Sequence, residues 1–194
     1  MNSTTSQLYN FAFRGLLAEE ALDSVGCRGK LFLKMADDEI IKALALESLD
    51  EIHVANAKTM AIVYTAIAAF ESGVRELVVK ILTDKHADEW WEKGFSKNIR
   101  DRAMKRLEDE QHARWHSQRG QDPINYTTLG DLKNVMQNNL LDFEDLVGSI
   151  TWAAGIFDVV ERSRNVIMHS GILEREDIDR LGVNIRDWVK QVGA

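Results

Sequence analysis

The sequence has little of what disulfide frameworks, β-sheets and membrane spans require. Its 194 residues include one cysteine, Cys27, and one proline, Pro123. A lone cysteine cannot form an intramolecular disulfide or a thiolate metal cage, which fits a reducing, cytoplasmic setting. No apolar run approaches the roughly 20 residues that cross a bilayer, so we expect no membrane among the partners. Period-two runs of β-branched residues are also scarce, which predicts an all-α protein.

The charge and the missing nucleotide motifs narrow the function classes. A formal net charge of -7 argues against a protein that coats nucleic acid by bulk electrostatics, although it leaves room for a local basic groove. The chain lacks a glycine-rich phosphate loop and a GxSxG elbow. With 45% apolar and 28% charged residues, the composition is that of a globular domain with a sizeable core.

The apolar pattern divides the chain into an N-terminal helical extension, residues 1–52, and a helical bundle, residues 53–194. In the extension we expect a helix over about 8–22 and a second helix beginning near Asp37 and Asp38, whose carboxylates favour a helix N-terminus. The second helix should bury a stripe of four apolar residues: Ile41, Ala45, Leu49 and Ile52. The sequence assigns no function to the extension.

The strongest helix signal opens the bundle and predicts a helix in its core. Apolar residues recur there at alternating steps of three and four: Met60, Val63, Ile67, Phe70, Val74, Leu77 and Ile81. Glu71 and Arg75 lie four residues apart on another face of this helix. They form either a surface ion pair or a pair that orients a polar cleft against the helix carrying Arg164.

Trp90 and Trp91 follow in a loop or short helix. We expect one of them to pack inward and the other to cover the end of the bundle. Base stacking on an exposed indole is the alternative.

A locally basic helix should follow, capped by Ser96 and running to Arg119, where Gly120 stops it. Its lysines and arginines suggest a phosphate-tracking surface as a hypothesis. His112 and His116 lie four apart as a possible metal pair. No carboxylate or cysteine at helical spacing completes such a site, so we expect a solvated helix and no metal.

Three further helices complete the predicted bundle. Thr127 or Thr128 should cap the first, which is followed by a segment over 140–147. Ser149 should cap the next, and Gly171 should end it. The last helix, over 174–192, carries four apolar residues on one face: Ile178, Leu181, Ile185 and Trp188.

Arg164 interrupts the apolar stripe of the helix that Ser149 begins. A guanidinium on such a face costs free energy unless it is paired or lines a cleft. With His169 it forms an Arg-x4-His spacing, but Arg106 with His112 (x5) and Arg162 with His169 (x6) are decoys that fit the wider pattern equally well. Spacing alone is weak, because accidental matches are expected in a chain of this length. An arginine and a histidine near a helix end also simply bond the last carbonyls in many proteins.

The helix geometry limits how these residues meet. On an ideal helix Arg164 and His169 lie about 140° apart, whereas Asn165 and His169 share a face. The two groups converge only if the arginine wraps round the helix, if the helix loosens before Gly171, or if a two-fold dimer axis brings two copies together.

The order of these features resembles the HEPN superfamily of helical bundles. The Phe70-Glu71 pair with Arg75 comes first, then the Trp-Trp loop, the basic helix, a Leu-rich helix, and Arg164-Asn165 with His169. The most similar branch is the one attached to the nuclear messenger-RNA surveillance endonuclease and to prokaryotic defence proteins. The resemblance covers about residues 53–190 and implies an up-down helical bundle.

The resemblance implies a metal-independent endoribonuclease that acts as a homodimer, as an RNA toxin or an antiviral defence effector without a cofactor. Arg164, Asn165 and His169 would form the catalytic set at the dimer interface. Arg162, Glu71 and Arg75 would support them or bind substrate. The expected chemistry is removal of a 2′-hydroxyl proton by the histidine, while the arginine holds the phosphoryl oxygens. The products would be a 2′,3′-cyclic phosphate and a 5′-hydroxyl.

Two alternatives stay open. The first is a non-catalytic HEPN-like module for dimerisation or for RNA or protein interaction, as one part of a defence complex. The second is a toxin held inactive by a nucleotidyl-modifying antitoxin, with Ser163 or Ser170 as the target hydroxyl. If the enzyme reading is right, Arg164→Ala or His169→Ala should abolish RNA cleavage without unfolding the protein.

Overall fold

The computed structural model describes residues 37–113 and 115–193. The expected helix over 8–22 and Cys27 lie outside these residues. The chain divides into two compact units, with the boundary between Glu51 and Ile52, and each unit is described by itself.

The N-terminal unit contains helix α1 (Asp37–Ala43) and a short 3₁₀ turn (Leu46–Ser48). Helix α1 begins at the acidic residues as predicted, because carboxylates stabilise the positive end of the helix dipole. The predicted buried stripe is wrong. Ala45 adopts a left-handed φ of 50° beyond the helix end, and Leu49 is 58% exposed.

In the C-terminal unit, seven α-helices form the described part of the bundle, and the longest connection between them runs over residues 113–128. They are α2 (Glu51–His86), α3 (Trp90–Gly94), α4 (Lys97–His112), α5 (Leu129–Asn138), α6 (Leu140–Val147), α7 (Ile150–Met168) and α8 (Arg175–Val192). Short 3₁₀ turns lie at Ala87–Glu89 and Pro123–Tyr126. Helix α7 packs against α5, α6 and α8. No strand occurs in residues 37–113 or 115–193, which confirms the all-α class. Within the same residues, no helix has the length and apolarity that a membrane span requires.

The core line of α2 follows the predicted stripe up to Val74 and then shifts by one residue. Val78 and Leu82 are fully buried in place of the predicted Leu77 and Ile81, which are half-buried at the edge of the core. Steps of three and four average 3.5 residues, whereas a straight helix turns once in 3.6 residues. Because of this mismatch, the predicted stripe gradually rotates away from the core over three heptads, and the buried positions move on by one residue. The last buried residues of α2 are therefore spaced by two steps of four.

The tryptophan pair belongs to the edge of the core. Trp90 and Trp91 are both half-buried and pack against the main core. Their ring centroids lie 5.6 Å apart, and each ring also contacts Phe95. Because neither indole is exposed, the structure offers no open platform for base stacking here.

The basic helix is shorter than predicted. Helix α4 begins after Ser96, although the serine side chain makes no capping hydrogen bond, and it ends at His112 rather than Arg119. The Arg119 backbone N–H and Nε both bond the Glu110 carboxylate, at 3.1 and 2.7 Å, which folds the chain back along the helix. His116 therefore lies outside the helix, and the two histidines do not share a helix face. The described residues contain no grouping of three metal-ligating side chains.

Candidate functional site

Arg164 is held in the bundle by a carboxylate of α2. Its Nε lies 3.3 Å from Glu71 Oε1, and its side chain is 34% exposed. The preceding residue of the same stripe, Val160, is fully buried. The ion pair therefore offsets the cost of a guanidinium on an apolar face. In the described part of the chain no ion pair joins Glu71 to Arg75. The Glu71 carboxylate instead pairs with Arg164, which favours the prediction of a polar cleft against the Arg164 helix over that of a surface ion pair.

Arg75 completes a polar cluster with these two residues, which we call the Glu71 cluster (Glu71, Arg75 and Arg164). Its Nη2 donates to the Thr127 carbonyl at 3.4 Å. Arg75 Nε and Glu71 Oε1 are buried without a hydrogen-bond partner. Burial lowers the pKa of Arg75, Glu71 raises it, and the neighbouring Arg119 and Arg164 lower it again. Two guanidinium groups thus lie near one carboxylate that pairs with only Arg164, and the cluster keeps an excess positive charge.

A second ionic centre holds the loop before α5. Asp131 is 4% exposed and accepts hydrogen bonds from Arg102 and Arg106 of α4. It also accepts from the Thr128 backbone N–H, while its own N–H donates to the Thr128 hydroxyl. This is a capping box, and it places the cap at Thr128, one of the two predicted candidates. The Thr-x-x-Asp spacing of Thr128 and Asp131 is the sequence signal that would have predicted this capping box.

The three arginines of α4, and Arg119 beyond its end, are engaged within the chain, whereas its two lysines are exposed. Arg106 also donates to the Tyr126 carbonyl at 2.7 Å, and Arg100 donates to backbone carbonyls at the start of the helix. Arg119 lies over the Tyr126 ring, 5.3 Å from its centroid. The surface of α4 is therefore less available for phosphate than its lysine and arginine content suggested.

Tyr126 anchors this region. Its fully buried hydroxyl shares its single O–H between Glu110 Oε2 at 3.0 Å and the Gly120 carbonyl at 3.1 Å. Burial raises the pKa of Tyr126, and the Glu110 carboxylate adds to the rise. The phenol therefore acts as a fixed donor between the end of α4 and the loop that follows it.

His169 occupies the C-cap of α7, immediately beyond the last helical residue. Its backbone N–H donates to the Asn165 carbonyl at 3.2 Å. The residue that adopts left-handed backbone is Ser170, with φ of 60°, rather than Gly171. Gly171 is needed for a close approach, because its N–H donates to the Val166 carbonyl at 2.8 Å and a Cβ would lie 2.7 Å from the Val166 side chain. This turn fixes the backbone at His169 and leaves its side chain exposed.

The predicted site residues near the end of α7 lie on two different faces of the helix. No hydrogen bond or ion pair joins Arg164 to His169 within the described residues, and ideal geometry separates them by about 140°. Arg162, Asn165 and His169 follow at steps of three and four and share the exposed face. Their side chains make no hydrogen bond or ion pair with any described residue. Arg162 also lines a cleft of about 490 Å³, here called the α7–α8 cleft.

Removal of the Arg164 side chain should destabilise the fold. In Arg164→Ala the Glu71 carboxylate would remain partly buried without its cation, which costs about 1–3 kcal/mol in the free energy of unfolding. The control is Arg162→Ala, because Arg162 is exposed and has no partner in the described structure, and such substitutions stay within about 0.5 kcal/mol. Urea denaturation of both variants measures the difference. Equal midpoints would show that the ion pair contributes nothing to stability.

The helical bundle agrees with the all-α fold that the HEPN resemblance implies, although a bundle by itself carries no function. Comparison with protein-family models, curated proteins and solved structures gives no match to this chain. The HEPN type therefore stays a prediction that rests on the residues themselves.

Proposed function

We propose that this chain is a metal-independent endoribonuclease of the HEPN type, acting as a homodimer in a toxin or antiviral defence system. One observation carries the proposal. The end of α7 leaves an exposed imidazole and carboxamide, His169 and Asn165, without side-chain partners in the described structure, while the neighbouring Arg164 is fixed by Glu71. An accessible imidazole and carboxamide can take part in phosphodiester chemistry once a guanidinium is brought against them.

The reaction follows from the chemistry of these groups. His169 removes the proton of a ribose 2′-hydroxyl, and the resulting oxygen attacks the adjacent phosphorus. The bond to the 5′-oxygen breaks, and that oxygen takes up a proton from water. A guanidinium stays charged throughout, so Arg164 stabilises the negative charge on the phosphoryl oxygens. The products are a 2′,3′-cyclic phosphate and a 5′-hydroxyl.

A two-fold dimer solves the separation of Arg164 and His169 around α7. The Arg164 of one copy would meet the His169 of the other across the axis. Exposed apolar side chains surround this end of the helix: Val166 is 39%, Met168 56% and Ile172 54% exposed. Clustered exposed apolar residues are typical of interaction surfaces. A dimer that covers them would also exclude water from the reacting groups.

An interaction module is the second candidate, and a groove between α2 and α8 favours it. The groove has a volume of about 580 Å³ and is lined mainly by apolar residues, among them Phe70, Leu77 and Trp188. On α2 its residues lie on the opposite flank of the buried stripe from Glu71. A protein that docks there would leave the end of α7 uninvolved.

Cleavage of RNA in excess chelator tests the proposal. The full-length protein should cut a single-stranded oligoribonucleotide and leave a cyclic phosphate and a 5′-hydroxyl, identified by mass spectrometry. The same oligonucleotide with every 2′-hydroxyl methylated should stay intact, because the attacking group is blocked. Absence of cleavage by protein shown by light scattering to be a folded dimer would favour the interaction module.

A further inference from the structure

The α7–α8 cleft has the size and lining of a small-molecule site. Its volume of about 490 Å³ lies within the range of ligand pockets, roughly 300–1,000 Å³. Val159, Val166 and Leu173 supply apolar surface, and Leu173 is 7% exposed. Such a surface suits the flat face of an aromatic ring.

Four charged side chains line the same cleft, two on each helix. On α7, Asp158 accepts a hydrogen bond from Lys133 at 2.6 Å. On α8, Asp177 accepts one from Arg180 at 2.9 Å. Each carboxylate is thus held by one oxygen, and the second oxygen makes no hydrogen bond with a described residue. Arg162 makes no hydrogen bond or ion pair with a described residue, and it lines the same cleft as the Asp177 carboxylate of the other helix.

The cleft adjoins the proposed catalytic histidine. Arg162 and Val166 line it and lie on the same face of α7 as His169. The turn at Gly171 brings the chain back onto the Val166 carbonyl directly after the histidine. An RNA strand whose reacting phosphate lies at His169 therefore places a neighbouring nucleotide at the cleft.

Resting on the proposed ribonuclease function, we propose that the α7–α8 cleft binds the base of a nucleotide next to the cleaved bond and selects guanine. Guanine presents two acceptors, O6 and N7, on one edge and two donors, N1–H and N2–H, on another. Arginine is the usual partner of the acceptor pair. The edges of unpaired bases in single-stranded RNA are open to such contacts. Arg162 donates to O6 and N7, and Asp177 accepts from N1–H and N2–H across the cleft.

The other bases match the cleft less well. Adenine and cytosine carry an exocyclic amino group where guanine carries an acceptor, and this donor would face the guanidinium of Arg162. Uracil lacks the acceptor pair. A correct bidentate contact discriminates against a wrong base by about 10- to 100-fold.

The test uses short oligoribonucleotides that are 2′-O-methylated at every position except one, so that a single bond can be cut. The base at the free position, and separately the base that follows it, is set to each of the four. With guanine at one of these two positions, wild-type protein should cleave about 10- to 100-fold faster than with any other base. Arg162→Ala and Asp177→Asn should bring the guanine rate down to that of the other bases.

Arg175→Ala is the matched control, because Arg175 is 91% exposed, lies on α8 and does not line the cleft. It should keep the guanine preference unchanged. Equal cleavage of all four bases by wild-type protein would overturn the base-binding proposal and leave the ribonuclease function standing. An equal loss of cleavage rate with all four bases in Arg162→Ala would also overturn the base-binding proposal, since it would show that Arg162 binds only phosphate.

A binding measurement tests the guanine selectivity of the cleft without requiring RNA cleavage. Guanosine 3′-monophosphate should bind wild-type protein more tightly than adenosine 3′-monophosphate in calorimetric titration, and Arg162→Ala should remove the difference. If wild-type protein binds guanosine 3′-monophosphate selectively but cuts none of the oligonucleotides, the ribonuclease proposal fails and the cleft remains a guanine site. Equal binding of both nucleotides overturns the cleft assignment.

Discussion

Replacement of Asp131 by alanine is expected to lower the free energy of unfolding by about 3 kcal/mol. The carboxylate is 4% exposed and bonds Arg102 and Arg106 of α4 together with the backbone of Thr128. Its loss removes the capping box of α5 and leaves two partly buried guanidinium groups without their counterion. These bonds also join α4 to the start of α5, so both helices should lose support at once.

The same carboxylate should make the fold sensitive to acid. Burial by itself raises the pKa of Asp131, but the hydrogen bonds from Thr128, Arg102 and Arg106 outweigh it, so the pKa lies below its ordinary value. A depressed folded-state pKa contributes stability that is complete above the unfolded-state value of about 3.9. That stability is lost as pH falls through the lower, folded-state pKa. Below about pH 4 the free energy of unfolding of the wild-type protein should therefore fall. Asp131→Asn should lack this part of the fall, because asparagine does not take up a proton.

Urea denaturation from pH 7 to pH 3 measures both effects in one series. Asp109→Ala is the control, because Asp109 is exposed on α4 and makes no hydrogen bond or ion pair with a described residue. It should stay within about 0.5 kcal/mol of wild type. A change of less than 1 kcal/mol in Asp131→Ala, or an unaltered acid response in Asp131→Asn, would contradict the assigned role.

Some features with a local cause were predicted from the sequence: the cap of α7 at Ser149, and the cap of α5 at one of two threonines. The caps of α5 and α7 lie at Thr128 and Ser149 because each side chain bonds a nearby backbone N–H. The end of α4 could not be predicted in the same way. No glycine or proline stands at 113, and the chain that follows His112 folds back through contacts of Arg119 and Tyr126 with Glu110. Such tertiary contacts produce no periodic pattern of apolar residues in the sequence, so the end of the helix could not be predicted from it.

The candidate site shows the same division. The sequence places Arg164, Asn165 and His169 at one helix end, since all three lie in one short stretch of the chain. The partner of Arg164 is a carboxylate on α2, far away along the chain, and only the packing of the helices shows that they meet. The α7–α8 cleft also depends on packing, because Arg162 and Asp177 come from different helices. Residues within one turn are predictable, and pairs between helices require the fold.

Replacement of His169 by alanine should lower the rate of RNA cleavage by about 10²- to 10⁴-fold, the usual contribution of a general base. The imidazole is exposed and its side chain makes no hydrogen bond or ion pair with a described residue, so the urea midpoint should not move. His112→Ala is the control, because His112 is exposed at the end of α4 and away from α7. Wild-type cleavage rates in His169→Ala would remove the histidine from the mechanism. Unfolding of His169→Ala would instead assign it a structural role at the helix end.

A mixture of two inactive variants decides whether the site is shared between copies. If Arg164 of one copy acts with His169 of the other, a heterodimer of Arg164→Ala and His169→Ala contains one site with both substitutions and one intact site. Random exchange makes half of the dimers mixed, so the mixture should recover about a quarter of the wild-type rate. If both residues act within one chain, every site carries a substitution and no activity returns. Because ideal helix geometry separates Arg164 and His169 by about 140° around α7, recovery is the expected result.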